Sequence, residues 1–434
     1  MHAIISANIP ILATLEGQLS DATNIKTRDA LEAQFRHDPD NHEDVFRKAF
    51  DFTRAEELEA LGLHPYFKPI SSQNGGLVTI DGHEMVITGS NDYLGLTQDT
   101  RLKEAAREVL NAFGTSCTGS RFLTGTLSLH EILEEKLAGF LEKESALTFS
   151  AGYLGCLSVL SALAGRRDIM YFDRENHASL YDGARLSFAT LRKFDHSDLD
   201  HLESLLKKDI TKPGGRLIVT DGVFSMMGHI ANLPGIIEIA RRYGARVIVD
   251  DAHAIGVLGN KGRGTAEHFG LEEEVDLILG TFSKSLGSVG GFMAGQKKVI
   301  SFIKHQSRPF IFTAALPAMQ MAAALKALEI MSSEPEHRKI LWTNVHLLQD
   351  GLSQLGFDTL GTETPIVPVL IGEDEMAFKV WRGLWEEGIF TTPAVSPAVE
   401  NAIIRTSVNA NHTQDQLDRL LNAFEVVGRK YGVI

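Results

Sequence analysis

Three short apolar runs, "RLIVT" from Arg216, "RVIV" from Arg246 and "DLIL" from Asp276, begin 30 residues apart. Helix-forming segments fill the intervals. In "LPGIIEIARRYG", Pro234 falls in a first helical turn and Gly244 just past a helix end, the places each residue favours. Strand, helix, strand at this spacing marks a mainly parallel sheet covered by helices on both faces. The earlier runs "ALTF" at Ala146 and "DIMYF" at Asp168 extend the pattern. The expected fold class is therefore α/β.

The flanks organise differently. "NIKTRDALEAQFRHDPDNHEDVFRKAFDFTRAEELEALG" predicts polar helices broken near Pro39. "GLVTIDGHEMVITGSNDYLGL" predicts a hairpin turning at Asp81-Gly82. "TRLKEAAREVLNAFG" puts Leu102, Val109 and Leu110 on one helix face, with Gly114 as the C-cap. "SLHEILEEKLAGFL" predicts a second helix with Ser128 as N-cap. Beyond about residue 315, "ALPAMQMAAALKALEIM" predicts a long helix, and "PIVPVLIG" and "AIIRTSVNA" predict strands of a smaller α+β domain. At 434 residues the chain exceeds one small core. The expected division is an N-terminal arm over residues 1–78, a large domain over 79–314 and a C-terminal small domain over 315–434.

Composition narrows the function classes. With 56 acidic against 42 basic residues, the formal charge is −14. A general nucleic-acid binder would need a basic face, although a local basic pocket for a phosphorylated ligand is still allowed. The two cysteines, Cys117 and Cys156, are too few for a disulfide framework or a cysteine metal site. A reducing cytoplasm fits. The first lysine or arginine is Lys26, so the start lacks the basic region of a signal peptide. No run of 18 apolar residues suits a membrane span. Peripheral contact with a membrane surface stays open.

In open α/β sheets, ligands bind beyond the carboxyl ends of the strands. "ALTF" is followed by "SAGY", with Gly152 and Tyr153. "MYFD" leads to His177, and "RLIVT" to Asp221 and Ser225. "RVIV" leads to Asp250 and His253, and "DLILG" to Thr281, Ser283 and Lys284. Singly, each has a plain explanation. His177 could start a helix, Asp250 could cap one, Gly152 could make a turn and Lys284 could face water. Five consecutive strand ends are hard to explain as scaffolding. Lysine is costly to bury, yet "GTFSKSLGSVGG" surrounds Lys284 with small residues that leave room for a ligand.

Several ligands fail the pattern. A Walker loop needs Gly before its lysine, where this chain has Phe282-Ser283. "GYLG" does not match the dinucleotide fingerprint. Asp251 and His253 alone are too few for zinc, and no metal is expected. Pyridoxal phosphate uses all the pieces. It needs a lysine for a Schiff base, a carboxylate at its pyridine nitrogen, and a helix N-terminus with hydroxyls for its phosphate. It also needs a flat group against its ring, and His177 supplies one.

These stretches resemble the α-oxoamine synthases, fold type I pyridoxal-phosphate enzymes that join an acyl-CoA to an amino acid and expel CO2. The resemblance runs from about Asn91 to the C-terminus. It rests on "NDYLGL", "GSRFLTGT", "NHASLYDGARL", "DGVFSMMG", "VDDAHAIGVLGNKGRG", "GTFSKSLGSVGGF", "RPFIFTAALP" and "RTSVNANHT". Within the family, "GTFSKS" with "GSVGGF", "TGSRFLTGT" and the ending "GRKYGVI" are most similar to bacterial serine palmitoyltransferases. One departure stands out. Some of those carry a further arginine shortly before the one matching Arg405. Here "GIFTTPAVSPAVENAIIR" has no basic residue between Gly388 and Arg405.

The resemblance implies a role for each residue. Lys284 holds the cofactor and acts as base on the substrate α-carbon, which requires an unprotonated amine. Asp250 keeps the pyridine nitrogen protonated, His253 reaches the phenolic oxygen and His177 lies on the ring face. Gly152 and Tyr153 offer backbone N–H groups to the phosphate, with Thr281 and Ser283 adding hydroxyls. Thr313 contacts the phosphate from a second subunit, which makes a homodimer part of the site. Asn91 and Arg405 hold the amino-acid carboxylate. The implied reaction condenses L-serine with palmitoyl-CoA to give 3-oxosphinganine, CoA and CO2, the first step of sphingolipid synthesis. The alternatives are a synthase using glycine, alanine or cysteate and, further off, an aminotransferase.

Overall fold

The computed structural model describes residues 44–434. Two compact units divide the chain, Met1–His64 and Pro65–Ile434. Described parts of the first include the short helices Arg47–Phe50 and Arg54–Ala60. The break expected near Pro39 lies outside the described residues.

The second unit opens with β1 (Ser72–Asn74), β2 (Leu77–Ile80) and β3 (His83–Ile87). Ile80 pairs with His83 across the turn. Asp81 (φ 50°) and Gly82 (φ 80°) both adopt left-handed backbone, as a two-residue hairpin turn matching strand twist requires. The expected hairpin is therefore present.

The large sheet comprises β4 (Ser145–Phe149), β5 (Ile169–Asp173), β6 (Thr190–Phe194), β7 (Arg216–Asp221), β8 (Arg246–Asp250), β9 (Leu277–Thr281) and β10 (Gly291–Gly295). Its order is β4-β10-β9-β8-β7-β5-β6. β5 through β9 pair in parallel, while β10 runs antiparallel to both β4 and β9. The short apolar runs do not mark β6 or β10. β6 is a partly exposed edge strand, "TLRKF", and β10 is the glycine-flanked "GFMAG".

Alternate residues of each strand enter different cores, as a pleated strand dictates. Ile169, Tyr171, Ile218, Val247 and Val249 pack on one face against Leu133, Ile236 and Leu328. Met170, Phe172, Val219, Ile248 and Leu279 pack on the other against Val159, Leu160 and Leu180. Helices thus cover both faces. By the same alternation, the strand-end residues Asp221, Asp250 and Thr281 project on the second face.

The C-terminal part holds β11 (Ile366–Gly372), β12 (Ile389–Phe390), β13 (Thr392–Ala394) and β14 (Ala402–Ser407). β14 lies between β11 and β13, antiparallel to both. β12 joins β3 in parallel and completes the sheet β1-β2-β3-β12. The helices Glu336–Leu355, Asp374–Glu386 and Gln414–Tyr431 bury Leu348, Trp381 and Phe424 in the first core.

The helix Thr100–Phe113 ends at Gly114 as expected. Ser128 is not an N-cap. It is the first residue of the helix Ser128–Phe140. There Leu127 holds the cap position with no side-chain cap, and its own backbone N–H donates to Nδ1 of His130 at 3.0 Å. No helix among the described residues is long and apolar enough to cross a membrane.

Candidate active site

A parallel sheet gathers its strand ends on one edge, and here they surround a cavity of about 340 Å³. Gly152, Tyr153, His177, Asp221, Ser225, Asp250, His253, Thr281, Ser283 and Lys284 all line it. The strand-end residues singled out in the sequence therefore meet in one place.

Lys284 follows β9. Burial pushes its amine below the ordinary lysine value, against the opposing pull of Asp250 and Asp221. Asp250 ends β8 and is buried. One of its oxygens accepts from the backbone of Ala252 at 3.1 Å, and the other lies 3.4 Å from the thiol of Cys156. Burial, followed by the charge of Asp250, drives the carboxyl of Asp221 well above the usual range. Two adjacent buried carboxyls do not ionise together easily.

His177 caps the helix Ala178–Ser187. Its Nδ1 accepts from the backbone of Ser179 at 3.3 Å and lies 2.7 Å from that residue's hydroxyl. This anchor fixes the ring at the cavity. Desolvation, reinforced by the nearby Lys284 amine, holds the imidazole below its usual range. Burial, and then the cations Lys284 and Arg405, hold His253 lower still. Both rings are therefore neutral near pH 7.

The helix Gly152–Leu163 begins at the cavity with no side-chain cap and no acidic residue in its first turn. Its free N–H groups and dipole suit an anion. Thr281 and Ser283 place hydroxyls 2.7 Å apart beside it. The backbone must come close here. A Cβ on Gly291 would lie 2.5 Å from the Cα of Gly152, and one on Gly152 would lie 3.0 Å from the hydroxyl of Thr281.

Arg405 and Asn91 lie beyond the lining but touch it through neighbours. Nε of Arg405 donates to the carbonyl of Ser225 at 2.7 Å, and Nη2 donates to Oδ1 of Asn91 at 3.0 Å. Thr313 does not line the cavity of its own chain. Sequence reasoning gave no role to Cys156 or Tyr93. Cys156 sits on an apolar helix face, and Tyr93 sits among the apolar residues of "NDYLGL".

The donor set fits pyridoxal phosphate. An amine held below its ordinary pKa faces a carboxylate, and an uncapped helix N-terminus stands beside paired hydroxyls. Glycines clear the space where a phosphate would approach the backbone.

Known proteins agree. The family profile "Aminotransferase class I and II" matches residues 83–424. A serine palmitoyltransferase from Sphingobacterium spiritivorum is 48% identical over 85% of this chain and 92% of the relative. An 8-amino-7-oxononanoate synthase from Thermoanaerobacter pseudethanolicus is 43% identical over 88% of this chain and 97% of the relative. The solved serine palmitoyltransferase from S. paucimobilis, with PLP and myriocin bound, superposes with a TM-score of 0.87 at 33% identity. That match covers 90% of this chain and 100% of the solved one. The chain belongs to the α-oxoamine synthase family and is a pyridoxal-phosphate-dependent acyltransferase of fold type I.

Proposed function

We propose that this enzyme condenses L-serine with palmitoyl-CoA, releasing CoA and CO2 and forming 3-oxosphinganine, the entry reaction of sphingolipid synthesis. The observation that carries the reading is the Arg405–Asn91 pair abutting a cavity that holds Lys284 and Asp250. A guanidinium suits a carboxylate through its fork of donors. The 48% identity to a serine palmitoyltransferase favours serine.

When bound, pyridoxal phosphate supplies an aldehyde for imine formation and an electron sink for negative charge at the α-carbon. Lys284 would hold the cofactor and, with its amine free, would take the α-proton. Its lowered pKa serves both roles. Asp250 holds a proton at the pyridine nitrogen. His177 would lie against the ring, and His253 would face the phenolic oxygen. Backbone N–H groups of Gly152 and Tyr153, with the hydroxyls of Thr281 and Ser283, hold the phosphate. Thr313 reaches the phosphate of a second copy, so the working enzyme is a homodimer. Residues 79–314 hold the cofactor and residues 315–434 supply Arg405. The acyl-CoA comes from a cytoplasmic pool.

A second reading keeps the chemistry and changes the amino acid to glycine, alanine or cysteate. It is favoured by the absence of any basic residue between Gly388 and Arg405, and by the 43% identity to an 8-amino-7-oxononanoate synthase. Release of CoA thiol decides between them. The holoenzyme is mixed with palmitoyl-CoA and one amino acid at a time. The serine reading predicts fastest release with L-serine. Faster release with glycine, alanine or cysteate replaces it with the second reading.

A further inference from the structure

Tyr93 has no role in the reaction as described, yet it joins two parts of the site. Its side chain is fully buried, and its hydroxyl lies 2.7 Å from Nδ1 of His253 and 3.3 Å from Oδ1 of Asn91. That same Oδ1 accepts from Nη2 of Arg405 at 3.0 Å. The phenol thus stands between an imidazole in the cavity wall and the Asn91 amide that holds the guanidinium of Arg405.

We propose that Tyr93 is a positioning residue that fixes His253 as the tautomer protonated on Nε2. A neutral imidazole carries one N–H, and the partner of one nitrogen decides where it sits. The phenol proton has two acceptors in reach. Nδ1 of His253 is the nearer, and Oδ1 of Asn91 is already occupied by a charged donor. With the phenol donating, Nδ1 must accept, so the hydrogen is on Nε2. The reverse polarity would need Nδ1–H to donate to the phenol and the phenol to span the longer 3.3 Å contact.

The electrostatics agree. Burial pushes the phenol up to about 12, so it keeps its proton, while His253 is held neutral. Nδ1 of His253 meets the Tyr93 hydroxyl, and the basic side chains Lys284, Arg405 and His177 disfavour a charged ring. The ring thus keeps Nε2–H as its free donor, complementary to an anionic oxygen.

The inference rests on the proposed placement of His253 beside the cofactor's phenolic oxygen. Its test begins without cofactor. Apoenzyme labelled with 15N-histidine, with His253 assigned through His253→Gln, reports the tautomer directly from the ring nitrogen shifts. The expected result is Nε2–H in the native protein and a mixture containing Nδ1–H in Tyr93→Phe. The same substitution should weaken pyridoxal phosphate binding by roughly three- to tenfold, the scale of one hydrogen bond. Nδ1–H in the native apoenzyme, or a tautomer unmoved by Tyr93→Phe, would overturn the proposal. His253→Gln binding pyridoxal phosphate as tightly as the native protein would overturn the placement of His253 and leave the tautomer result standing.

Discussion

Asp221 and Asp250 are register partners on neighbouring parallel strands, and both side chains line one cavity. Burial, with the charge of Asp250 added, pushes the carboxyl of Asp221 well above its usual range. Asp221 is therefore the member of the pair that more readily keeps its proton, and the proposed function gives Asp250 the pyridine nitrogen. Their amide variants should differ. Asp250→Asn should slow α-proton exchange of serine in D2O by more than about tenfold, or ~1.4 kcal/mol of barrier. Asp221→Asn should slow it by less than that, since an amide resembles a protonated carboxyl. Equal losses in the two variants would remove the distinction.

Lys284→Ala should abolish turnover, by at least roughly a thousandfold on the scale of lost general-base catalysis. The purified protein should also lose its yellow colour in the presence of pyridoxal phosphate. Visible absorbance and CoA release check the two halves separately. A coloured, active variant would end the assignment of this lysine.

Because burial lowers the Lys284 pKa from its ordinary 10.5, more of the amine is free at a given pH than in an exposed lysine. Capture of pyridoxal phosphate by the apoenzyme should rise with pH, with its midpoint below 10.5. The sign for stability follows from the same shift. The unfolded chain holds this proton more tightly, so the amine's contribution grows as pH rises from the folded toward the unfolded pKa. Stopped-flow absorbance from pH 6 to about 11.5 gives the midpoint. A midpoint at or above the ordinary value would contradict the geometry.

Arg405 is buried and held at two atoms, by the Ser225 carbonyl and by Asn91. Arg405→Ala should weaken serine binding by roughly 1.5–3 kcal/mol, the scale of a hydrogen bond to a charged group. Arg405→Lys should recover only part, because one ammonium cannot bind a carboxylate through two parallel donors. Spectral titration of the holoenzyme with serine measures both.

Strands β7, β8 and β9 were legible because a strand buried on both faces is written as an unbroken apolar run. The cavity residues were legible for a related reason, since a parallel sheet delivers every strand end to the same edge. β10 was not, because "GFMAG" has little strand character of its own. Its glycines answer to a neighbour, Gly152, whose Cα a Cβ on Gly291 would reach within 2.5 Å. Tyr93 was quoted but given no role, because its hydroxyl's partner His253 lies 160 residues away. Cys156 reads as helix core until the fold sets its thiol against Asp250. Ser128 misled because the helix already includes it, which leaves Leu127, with no capping hydroxyl, in the cap position.

The central claim is that the amino acid loses its carboxyl carbon as it gains the acyl chain. Uniformly 13C-labelled L-serine and unlabelled palmitoyl-CoA, with CO2 trapped and the lipid product weighed by mass spectrometry, test it most directly. The account predicts that the carboxyl carbon appears as CO2 while the α- and β-carbons remain in the lipid. A lipid that keeps the whole serine skeleton would mean simple acyl transfer, and a labelled keto acid with no labelled lipid would mean amine transfer. Either result would contradict the account.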